Sequence, residues 1–82
     1  MTQSTRIMLT MKEFKIRTYG RTELALLYAP SLKPKGALAR LNTWIRIDPG
    51  LESQLKATGF NWSHRSFTPA QVALIVKALG EP

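Results

Sequence analysis

Prolines punctuate this chain. Four of the five, Pro30, Pro34, Pro49 and Pro69, fall inside it. Each lacks an amide donor and holds the residue before it away from helical geometry. The stretches between them are short, so each is read as a separate element. Eighty-two residues also allow one small domain, which buries roughly 60% of its unfolded surface. A hydrophobic content of 44% with 21% charge is that of a folding chain rather than a disordered one. The absence of cysteine removes disulfides, thiolate chemistry and cysteine-based zinc sites together.

Residues 1–11 read as a disordered tail before a single domain over 12–82. Over 13–18, Phe14, Ile16 and Thr18 alternate with Lys15 and Arg17, which predicts a short strand closed by Gly20. Thr22 is the expected N-cap of a helix over 23–29, with Leu24, Leu27 and Tyr28 inward and Pro30 as its stop. Pro34 suits a first helical position. The longest helix is predicted from there to Ile47, with Leu38, Leu41 and Ile45 on one stripe flanked by Ala37 and Trp44. Asp48-Pro49-Gly50 breaks it. A turn or two of helix over 51–57 puts Leu51 and Leu55 inward, and Gly59 stops it. Residues 60–67, FNWSHRSF, read as a hairpin or loop with two short strands. Thr68, Pro69 and Gln71 then make an N-cap, a first-turn proline and a capping box. Val72, Ile75, Val76 and Leu79 form the core face of the last helix, and Gly80 closes it. The sum is an α+β, mostly helical, winged helix-turn-helix-like domain: a short N-terminal strand, three to four helices and a small β-hairpin wing.

Charge points to an anionic partner. Residues 1–46 hold nine Lys and Arg against two acids, and residues 47–82 hold three of each. The whole net charge of +7 therefore belongs to the first half. Against an enzyme stand the single His64, the lack of any phosphate-loop pattern and the scattered carboxylates. We expect no catalytic residues, no cofactor and no metal. No apolar run approaches a membrane span and no apolar leader is present, so the expected setting is the cytoplasm.

Three pieces resemble a known family: YGRTELALLY (19–28), ALARLNTWI (37–45) and RSFTPAQVALIVKALGEP (65–82). Together they make residues 14–82 similar to a family of small Bacteroidales proteins, the domain of unknown function 4248, which brings no activity with it. Thr22-Glu23-Leu24-Ala25, Trp44 and Arg65-Ser66-Phe67-Thr68-Pro69 also resemble MerR-like and excisionase-like winged helices. The strand before the first helix and the insert over 48–59 depart from that pattern. The resemblance implies a long helix that enters the DNA major groove.

On this reading Lys35, Ala39, Asn42, Thr43 and Arg46 form the reading face. Asn suits adenine, Arg guanine, and Thr a thymine methyl or a phosphate. Arg21 and Thr22 would hold a phosphate at the start of the first helix, and His64 and Arg65 would touch DNA from the wing. Trp62 either joins them or packs beneath. The last helix is apolar on two sides, so Leu74 faces either a second copy in a homodimer or a core that wraps the helix. The expected function is double-stranded DNA binding, as a transcriptional regulator or a mobile-element accessory factor. The alternative is a basic adaptor on the same scaffold that binds a protein and no nucleic acid.

Overall fold

The computed structural model describes residues 14–82. The expected tail over 1–11, the domain start at 12 and Glu13 lie outside the described residues. The order is strand β1 (Tyr19–Gly20), helix α1 (Arg21–Tyr28), helix α2 (Pro34–Ile47), helix α3 (Pro49–Ala57), strand β2 (Ser66–Phe67) and helix α4 (Pro69–Leu79). The architecture is α+β and mostly helical.

Helix ends follow local chemistry. Pro34 opens α2 at its first position and Ile47 ends it, the expected bounds. Helix α4 begins with a complete capping box: Gln71 N donates to Thr68 Oγ1 at 3.2 Å, and Thr68 N donates to Gln71 Oε1 at 2.9 Å. Gln71 Nε2 also donates to Thr58 Oγ1 at 2.9 Å, which ties α4 to the end of α3. Asp48-Pro49-Gly50 breaks α2 and also starts the next helix. Asp48 Oδ1 accepts from Leu51 N at 3.1 Å, so α3 opens at Pro49, earlier than the apolar spacing suggests. Gly59 and Gly80 have φ of 92° and 88°, the left-handed region where a Cβ is strained.

The strands differ from expectation. Residues 14–18 form no strand. They curl around the Tyr19 ring instead, with Phe14 stacked at 5.4 Å and the Arg17 guanidinium at 3.7 Å. The Tyr19 hydroxyl donates to Lys15 O at 2.8 Å. Residues 60–67 give one strand rather than two. Asn61 Oδ1 accepts from Ser63 N at 2.8 Å and Asn61 O from His64 N at 3.1 Å, which bends 61–64 into a turn. The partner of β2 is β1, antiparallel, with Tyr19 opposite Phe67 and Gly20 opposite Ser66. The chain then passes straight from ladder to helix, because Arg21 N donates to Arg65 O at 2.9 Å. Gly20 therefore takes the N-cap place expected of Thr22, and Glu23 reaches back to accept from Gly20 N at 3.0 Å.

The core joins all four helices to β2: Leu24, Ala25, Leu41, Ile45, Leu55, Phe67, Val72 and Ile75 are fully buried. Phe60 stacks on Phe67 at 5.5 Å. In α1 the inward residues are Leu24 and Ala25, and Leu27 is 44% exposed. Leu74 is half-buried against the core, while Ala73, Lys77 and Ala78 are exposed. No described helix is long and apolar enough to cross a membrane.

Candidate nucleic-acid interface

One guanidinium organises the polar side of the molecule. Arg21 is the first residue of α1 and only 8% exposed. Its Nη1 donates to Trp62 O at 2.6 Å and His64 O at 2.9 Å. Its Nη2 donates to Asn42 Oδ1 at 2.7 Å. The guanidinium carbon lies 5.4 Å from the Trp62 ring centre and 5.8 Å from that of Phe60. The start of α1, the middle of α2 and the turn over 62–65 are thus pinned by one side chain. All three acceptors are neutral. Burial, and then the like charge of Arg46, lower the Arg21 pKa from its ordinary value. An arginine still keeps its proton there.

Two expected contact residues therefore face inward. Arg21 spends its donors inside the protein, and a half-buried Asn42 gives its carbonyl oxygen to Arg21. A bidentate adenine contact needs both ends of the amide. The structure gives Asn42 a positioning part beside Arg21.

The remaining expected residues surround this lock. Lys35, Ala39, Thr43 and Arg46 are exposed along α2, and His64 and Arg65 are exposed in the turn before β2. Thr43 Oγ1 donates to Ala39 O at 3.0 Å, which leaves its methyl and oxygen lone pairs outward. Arg46 lies over the Trp62 ring at 4.3 Å, and Trp62 Nε1 donates to Glu52 Oε2 at 3.2 Å. Trp62 is half-buried, so it packs between Arg21, Arg46 and α3 rather than standing free. The two described ion pairs are Arg17–Glu23 at 3.0 Å and Lys56–Glu52 at 3.5 Å. No described carboxylate lies within ion-pair distance of Lys35, Arg46 or Arg65.

A pocket of about 240 Å³ opens beside the lock. Arg21 and Thr22 line it from α1, Leu38 from α2, and residues 62–65 from the turn. Periodicity missed this pocket, the Arg21–Asn42 bond and the Trp62 clasp, because their partners lie more than 20 residues apart in the chain or in irregular backbone. No curated protein and no solved structure matches this chain. A family model does match it, over residues 15–82, so the chain belongs to the family described as Domain of unknown function (DUF4248).

Proposed function

We propose that this protein binds double-stranded DNA without catalysing a reaction, as a winged-helix-like regulator or mobile-element accessory factor. One observation carries the reading. Exposed cations with no described counterion, Lys35, Arg46 and Arg65, flank a single lock that joins α2 to the turn before β2. Helices α1 and α2, joined by a short connector over 29–33, would serve as the two helices of a helix-turn-helix. Lys35, Ala39, Thr43 and Arg46 would face the groove, with His64 and Arg65 in the place of a wing. Roughly four to six phosphate contacts would give a log–log salt slope of about −4 to −5.

Titration of labelled duplex at several salt concentrations tests this. Arg46→Glu and Lys35→Glu should weaken binding strongly, and Lys77→Glu, in the exposed part of α4, should not. Binding only at millimolar protein in low salt, or equal losses from Arg46→Glu and Lys77→Glu, would reject the reading. The adaptor alternative would then stand.

A further inference from the structure

We propose that the pocket at the start of α1 is a phosphate site, and that, on the DNA reading above, it takes one phosphate of the nucleic-acid backbone. The buried cation points there first. Arg21 forms part of the pocket wall, is 8% exposed and has only neutral hydrogen-bond partners. Its buried Nε proton has no acceptor among the described residues. A buried charge without a counterion is unfavourable, and an oxyanion in the adjoining space supplies one.

Helix α1 points there independently. Its N-cap is Gly20, which offers no side-chain acceptor, and Arg21 N is taken by Arg65 O. The amide of Thr22, a wall residue, remains as a first-turn donor at the positive end of the helix dipole. Thr22 adds a hydroxyl to the wall, and Arg65 adds an exposed cation. Glu23 is the acid of this turn, but its carboxylate accepts from Gly20 N and pairs with Arg17, and it is not part of the wall. Trp62 and Leu38 add apolar surface to the wall, which Ser63 and His64 complete, and apolar surroundings strengthen electrostatic contacts nearby. The volume of about 240 Å³ equals the share of about eight liquid waters, enough for a hydrated tetrahedral oxyanion.

The probe is inorganic phosphate, titrated into the isotopically labelled full chain against chloride at constant ionic strength and followed by amide NMR shifts. Saturable shifts are expected at Thr22 and at Ser63 to Arg65. Arg65→Glu should weaken phosphate about tenfold or more, the weight of one charge-assisted contact. Thr22→Val should weaken it less, and Lys77→Glu should leave it unchanged. Both Arg65 and Thr22 lie outside the buried core, so these variants stay folded where an Arg21 variant could fail to. Weak, unsaturable shifts spread over every lysine and arginine, or an equal loss from Lys77→Glu, would overturn the site. A short duplex separates the two sources of phosphate. A duplex that displaces phosphate from these amides supports the backbone as source. A duplex that binds and leaves bound phosphate in place overturns it, and a free phosphorylated compound becomes the ligand. Arg46-dependent duplex binding with no phosphate response would sink the site while leaving the DNA reading intact.

Discussion

Asn42 and Leu41 are neighbours in α2 with opposite surroundings. Leu41 is fully buried, and Leu41→Ala should cost about 2–5 kcal/mol, a large share of so small a domain's stability. Apolar spacing placed Leu41 correctly, because a helical stripe is a local pattern. The same spacing puts Asn42 on the solvent side, where Asn42→Ala is expected to be nearly silent. The structure changes that expectation. Removing the amide leaves Arg21 Nη2 without an acceptor in a buried setting, at a cost of about 1–3 kcal/mol. Thr43→Ala, one residue further and exposed, should be close to neutral when both variants are unfolded in urea. A cycle of Arg21→Met, Asn42→Leu and the double variant should be clearly non-additive. Additivity would mean that the bond between them contributes nothing. No sequence signal announced this pair: arginine is seldom buried, and nothing local marks the one that is.

Elements were legible wherever their ends are decided locally. The capping box of α4 and the first-turn proline of α2 can be read residue by residue, and both occur as read. Thr68→Ala should therefore cost about 1 kcal/mol, measured by chemical denaturation, because one first-turn amide loses its acceptor. The strands were not legible, because β1 and β2 pair across most of the chain and each is two residues long. No alternation develops over such a length. The end of α1 offers a pH test. Tyr28 Oη donates to Gly80 O at 2.5 Å, joining α1 to the end of α4. Burial first, and then Glu81, push the Tyr28 pKa up to about 12. A folded pKa above the unfolded value of about 10 means that the native state holds the proton longer. The stability contributed is thus intact below about pH 10 and is lost as pH rises toward about 12. Tyr28→Phe has no such proton, so its melting temperature should fall less steeply over that interval than that of the wild type. Parallel curves would remove Tyr28 from the alkaline transition.

At the scale of the whole molecule, the uneven charge of the sequence becomes a surface only because three separate elements are clamped together. The sequence showed that cations crowd the first half. It could not show that Arg65, from the neutral half, joins them through the β1–β2 ladder and the Arg21 bonds. Trp62 is the uncharged piece of that clamp, held by Arg46 over its ring and by Glu52 at its Nε1. If the proposed DNA reading holds, this separates two ways of losing affinity. The salt slope counts phosphates neutralised, whereas affinity at one salt concentration also reflects how well the cations are pre-arranged. Arg46→Ala removes a charge and should reduce the slope by about 1. Trp62→Ala removes none. It should free the turn over 62–65 and the Arg46 side chain, weakening binding by a similar factor at every salt concentration and leaving the slope unchanged. Trp62→Phe keeps a ring beneath Arg46 and should recover part of the affinity. If Trp62→Ala instead lowers the slope as Arg46→Ala does, the clamp itself determines which cations reach phosphate. If it changes neither quantity, the turn has no part in the interface and the bound surface is α2 alone.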